Sequence, residues 1–302
     1  MAVIGGEEAL GFGLAVAAAA CYDGGYALQA IEARRAPGRL AMRPALVGYL
    51  LRRPLWLAAT AISLLGWPLQ ILALTQAPLT LVQPALALGL LLLLALGVRI
   101  LGEPVGVREV CGVLTIIAAV ALIAWAAPDD TGAVPRDAGL VVALSLLALI
   151  ALLPFAVNAL RRCPVWLLVA GAGAADGLAA FVAKLIAEDA TAGRWAAVLG
   201  FAALAGAVIV LGVTSESTAL QRAAATRVAP AVLALQIAIP VVLAPLVGGE
   251  PWGATPLGGA VLGLGLLLVG TGVALVAGSP AVAAIIAESR EGPQRARPPE
   301  PA

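Results

Sequence analysis

Apolar runs of about twenty residues recur along the chain, separated by short stretches that collect nearly all of the charge. A helix needs about 20 apolar residues to cross a bilayer. Windows of that kind fall at 9–31, 54–75, 80–99, 107–127, 138–159, 164–187, 195–218, 228–247 and 257–278, nine in all. Backbone groups in lipid have no water to bond, so each window is expected to be helical. The run after Gly11 is preceded by Glu7 and Glu8 rather than by Lys or Arg, and reads as the first membrane helix, not a signal peptide. Residues 279–302, rich in Pro, Arg and Glu, read as a disordered cytoplasmic tail.

The arginines orient the bundle. With the amino terminus outside, Arg34, Arg35, Arg39, Arg43, Arg52, Arg53, Arg99, Arg108, Arg161, Arg162, Arg222, Arg227, Arg290, Arg295 and Arg297 are cytoplasmic, and only Arg136 and Arg194 are outside. That asymmetry follows the positive-inside rule and supports an odd number of spans. Composition agrees: 62% of residues are hydrophobic and 12% charged, where a soluble domain carries about 25% charged. The chain is therefore expected to be one multi-pass domain, 1–278, of the cytoplasmic (inner) membrane. Cys21, Cys111 and Cys163 show no paired spacing and read as small core residues.

The chain also repeats itself. Gly66, Ala73, Leu74, Val82 and Pro84 recur as Gly212, Ala219, Leu220, Val228 and Pro230, displaced by 146 positions. Glu103, Pro104, Gly106 and Gly112 recur as Glu250, Pro251, Gly253 and Gly259, displaced by 147. Carried back one helix, the match sets Asp23-Gly24 beside Asp176-Gly177 at 153. Repeat one is then 9–127, repeat two 164–278, and the fifth span, 138–159, the linker helix. Four helices, one linker and four more force the copies into opposite orientations, an architecture typical of secondary transporters. A competing match, Gly13-Leu14 through Arg34-Arg35 with Gly139-Leu140 through Arg161-Arg162, pairs two helices that run the same way.

The stretch Ala73-Leu74-Thr75-Gln76-Ala77-Pro78 through Gln83-Pro84, with Leu101-Gly102-Glu103-Pro104 and Gly112, resembles the end of the repeat unit in the drug/metabolite transporter superfamily (EamA-like). Nine spans are closer to its NIPA-like magnesium transporter branch than to its usual ten. The four-helix unit is similar to the small multidrug resistance proteins, and Asp176-Gly177 with Lys184 resembles their acid-bearing first helix. Asp stands here where those proteins have Glu. Leu79 to Leu88 lacks the aromatic residues with which they hold flat cations. The resemblance implies transport of a small solute.

Asp23 and Asp176 sit near the middle of apolar runs in a chain without histidine. A charge at the centre of a membrane helix costs about 2.5–3.5 kcal/mol on insertion scales, so such residues mark functional sites by default. Each could exchange a proton for a substrate or hold a cation; the alternative is a structural acid bonded to a neighbouring helix. Small neighbours on both helices leave room for another helix, water or solute. Further candidates for the path are Tyr26, Gln83, Gln236 and Glu216, the last within Thr214-Ser215-Glu216-Ser217-Thr218. At the repeat-equivalent place stands Trp67-Pro68-Leu69-Gln70. The two stretches read either as a pair of gates or as helix ends meeting water.

Lys184 either snorkels toward water beside Glu188 or contacts an anionic group. Glu103 and Glu250 precede the fourth and ninth spans and are expected to complement those helix dipoles. Gly259 and Gly263 form a small-residue packing face. No P-loop, zinc spacing, catalytic triad or nucleic-acid patch is present, so no enzyme, cofactor or metal site is expected. The function expected is a secondary transporter moving a small metabolite by alternating access with proton or cation coupling. Alternatives are a divalent cation transporter, a lipid-linked sugar flippase, and a non-transporting scaffold.

Overall fold

The computed structural model describes residues 6–77, 79–126, 137–160, 162–247 and 256–277. Within them the chain forms eleven α-helices and no strand: α1 (Gly6–Arg35), α2 (Ala45–Leu50), α3 (Pro54–Gln76), α4 (Leu79–Ala87), α5 (Gly89–Arg99), α6 (Val107–Ala126), α7 (Ala138–Leu160), α8 (Val165–Thr191), α9 (Trp195–Leu220), α10 (Ala225–Val247) and α11 (Ala260–Ala277). Seven segments are long and apolar enough to cross a membrane: α3, Leu81–Arg99 across α4 and α5, α6, α7, α8, α9, and Leu257–Ala277. Two expected spans remain. α1 is helical throughout but carries Glu7, Glu8, Asp23 and Glu32, and the apolar stretch of α10 runs over Ala225–Ile239.

The surface is that of a protein in lipid. Leu64, Leu65, Trp67 and Ile71 of α3, Val141 and Leu149 of α7, and Leu199 and Ile209 of α9 face outward, while Thr214, Ser215, Ser217 and Thr218 are buried. Contiguous exposed apolar faces of this size need an apolar medium. The chain is a multi-pass membrane protein.

Packing follows the same scheme in both halves. α1 lies along α3 and α8 along α9; α4 and α5 cross α1, as α10 crosses α8; α4 meets α6, and α10 meets α11. Glycines set the close approaches. A side chain at Gly25 would collide with Ser63 and the Ala59 carbonyl, and one at Gly66 with the Tyr22 ring. In the second half Gly212 sits against Ala175 and Asp176. The displacements read from the sequence carry the Tyr22 to Gly66 contact onto Ala175 and Gly212.

α6 and α11 join the halves. Gly112 faces Val276 and Gly272, and farther along α6 Ala119 and Ile123 face Gly265, so the partner's number falls as α6 advances and the two helices run antiparallel. Gly272→Leu would drive a side chain into Ile116 and the Gly112 carbonyl, whereas Gly270 meets open space. Overpacking of this kind costs about 1–3 kcal/mol. Thermal unfolding in detergent should therefore show a lowered midpoint for Gly272→Leu and an unchanged one for Gly270→Leu.

Two expectations are corrected, and one link is richer than a turn. The link between α1 and α3 holds a 3-10 turn at Gly38–Leu40 and the short α2. Cys111 is exposed rather than in the core, while Cys163 is buried and Cys21 half-buried. Glu103 does not serve the following helix, as shown below. Glu250 and the tail 279–302 lie outside the described residues.

Candidate functional site

A cavity of about 860 Å³ lies between the two halves. Its wall includes Asp23 and Tyr26 of α1, Gln83 of α4, Asp176 of α8, Glu216 of α9 and Gln236 of α10, so these six candidates from the sequence come together in one place. Lys184 belongs to α8, and its side chain lies outside the described residues. Among the described lining residues there are three carboxylates and no Lys or Arg.

The two aspartates are held differently. Asp23 rests on Gly89, the first residue of α5, where any side chain would overlap its carboxylate. This is where α4 and α5 are separated by Leu88, four residues after Pro84. Asp176 packs against Gly212 of α9 and lies within electrostatic reach of Glu216. The Tyr26 hydroxyl, shielded from solvent, faces Glu216 without a well-formed hydrogen bond.

The sequence reading missed part of the wall. Tyr22 donates to the Gln70 side-chain oxygen at 2.9 Å, and Gln29 donates to the Thr60 hydroxyl at 3.1 Å. Both residues line the cavity, with Ser63 and Trp67. A signal was present: Tyr22, Tyr26 and Gln29 fall at i, i+4 and i+7, a polar stripe at helical spacing.

The cavity is unequal at its two ends. Along α3 it extends to Ile71 and Leu74, close to the helix end at Gln76. Toward the arginine-rich end it stops at Gln29, Glu216 and Ala229. There the helix ends are stitched together. Arg34 at the end of α1 donates to Glu103, and its Nε to the Leu220 carbonyl at 3.3 Å. Glu103 accepts the Ala225 and Thr226 backbone N–H groups at 2.7 and 2.9 Å.

The helix amino end that Glu103 caps is therefore that of α10, not α6. The α6 end is served by Glu109, which accepts the Gly106 N–H at 3.0 Å and pairs with Arg227 of α10 at 3.2 Å. Two carboxylates thus cover free backbone donors that no intrahelical partner satisfies. Burial alone would push the Glu103 carboxyl up, but donors from Thr226, Arg34 and Ala225 outweigh it and hold it below the usual carboxylate range. A second knot joins Glu32 to Arg35 at 2.8 Å and to Arg53 at 2.9 Å.

No protein family, characterised protein or solved structure matches this chain. What the site does must be argued from its own chemistry. A chamber of this size, whose largely apolar wall carries three carboxylates and four glutamines, can hold a solvated cation or a polar solute that lipid would reject.

Proposed function

We propose that the chain is a secondary transporter of the drug/metabolite type, moving a small solute across the cytoplasmic membrane by alternating access. The observation that carries this reading is that Asp23 and Asp176, one from each half of the chain, border one shared cavity. An intramembrane acid is costly to maintain, and two of them on one cavity suit a solute or a coupling ion. In this reading nine spans form two oppositely oriented four-helix units, with α1, α3, α4 with α5, and α6 in one, α8 to α11 in the other, and α7 between them. Support comes from the matching helix pairings in the two halves and from the antiparallel contact of α6 with α11. With the arginine-rich end in the cytoplasm, the cavity faces outward and its cytoplasmic end is sealed.

Three carboxylates without a lining base favour a positively charged passenger, or a neutral one exchanged for protons or cations, over an anion. Among the described residues no group of three metal-ligating side chains comes together. A dehydrated divalent cation takes about six or more oxygen ligands, usually with several carboxylates among them; the acids do not converge in that way, so we rank metal transport second. Flux in proteoliposomes tests the reading. Cationic amines and neutral polar solutes should accumulate with an imposed proton or sodium gradient, and carboxylic and phosphorylated anions should not. A folded, monodisperse protein that moves no class of solute or metal ion would be a scaffold instead.

A further inference from the structure

Two walls of the cavity are related by the repeat, but their contacts are not. At the sealed end α9 reaches across to α1. The Thr218 hydroxyl accepts the Met42 N–H at 3.0 Å, and Glu216 faces Tyr26. Displacing Tyr26 by 153 and Glu216 by −146, the shifts that superpose the Tyr22 to Gly66 and Ala175 to Gly212 contacts, gives Ala179 on α8 and Gln70 on α3. Among the described residues α3 and α8 do not pack along one another as α1 and α3 do. Gln70 and Ala180 are parts of the cavity wall instead.

We propose that Gln70 and the Ala179–Ala180 turn of α8 form the outer closure contact, the counterpart of Glu216 with Tyr26. The purpose of this closure rests on the transport reading, but the closure itself does not need flux to be seen. The chemistry of both helices suits it. Pro68 lies just before Gln70 inside α3 and removes a backbone bond, the usual cause of a bend. In α9 the Thr214 and Thr218 hydroxyls bond the carbonyls one turn back, Val210 at 2.6 Å and Thr214 at 2.7 Å, which also bends helices. Small side chains at 179 and 180 allow close approach. Gln70 already has a partner, Tyr22 at 2.9 Å, so the outer part of α3 must leave α1 to close.

Cross-linking decides the matter. In full-length protein with Cys21, Cys111 and Cys163 replaced by serine and reconstituted in liposomes, Gln70→Cys is combined with Ala179→Cys or Ala180→Cys. A short bis-thiosulfonate should yield the linked α3–α8 peptide by mass spectrometry. The yield at early times should rise several-fold when Glu103→Gln weakens the opposite seal. Tyr22→Cys with Gln70→Cys, in contact already, is the positive control. Full linking of that control with no α3–α8 product in either background overturns the proposal. Should the double variants misfold, Ala180→Cys alone serves: its labelling by an impermeant maleimide should fall in the Glu103→Gln background, and unchanged or faster labelling overturns the proposal. Linking without solute flux would sink transport and keep the closure; flux without linking would do the reverse.

Discussion

Asp23→Asn and Asp176→Asn should each reduce flux in proteoliposomes by about 10- to 100-fold, with helix content and monodispersity unchanged. The magnitude follows from the contact at stake, because a hydrogen bond to a charged group is worth about 1.5–3 kcal/mol. Asparagine keeps the shape and much of the hydrogen bonding, so the folded bundle persists while the negative charge is lost. The two substitutions should differ in a second respect. Asp176 has Glu216 within electrostatic reach, so Asp176→Asn leaves an acid nearby, and Glu216→Gln added to it should cut flux further. Asp23 rests on glycine and has no such deputy on α9. Wild-type flux in both single variants would remove the aspartates from the mechanism.

Glu103→Ala should produce the largest loss of stability. It leaves Arg34 without its carboxylate and the Ala225 and Thr226 N–H groups without their acceptor, at a site where Glu103 is 6% exposed. Removing one partner of a buried pair costs about 3–5 kcal/mol; Arg34 is 30% exposed, which places the cost at the lower end. For a chain of this size about 3 kcal/mol lowers a reversible unfolding midpoint by roughly 6–10 °C. The charge makes the effect depend on pH. A carboxyl held below its ordinary value contributes stability that is fully present above that value, about 4.3, and is lost as pH falls through the lowered one. Wild-type protein should therefore lose thermal stability on acidification below about pH 4, and Glu103→Gln should lack that component of the loss. Parallel pH profiles would show that Glu103 acts by packing and not by charge.

Much of the candidate site was legible because lipid makes polar residues conspicuous. Asp23, Asp176, Glu216, Gln83 and Gln236 stood out against apolar runs, and all five border the cavity. Tyr22 and Gln29 were overlooked because each is unremarkable alone and gains meaning only as part of one helical stripe. The role of Glu103 could not be read from its neighbourhood. A carboxylate beside the start of α6 fits that helix dipole on local grounds, yet its bonds go to Ala225 and Thr226, far along the chain. Sequence spacing fixes which residues share a helix face; it does not say which helix end, among several at one membrane surface, lies nearest in space. The separation of α4 from α5 was hidden for a similar reason, since the carboxylate that fills the space at Gly89 comes from Asp23 of another helix.

The Met42 backbone has a φ of 58°, a left-handed setting that costs a residue with a side chain about 1–2 kcal/mol. The Thr218 hydroxyl pins it there through the Met42 N–H. In the proposed transport cycle, withdrawal of α9 would release that bond and let the loop return to an ordinary conformation, offsetting part of the work of parting α9 from α1.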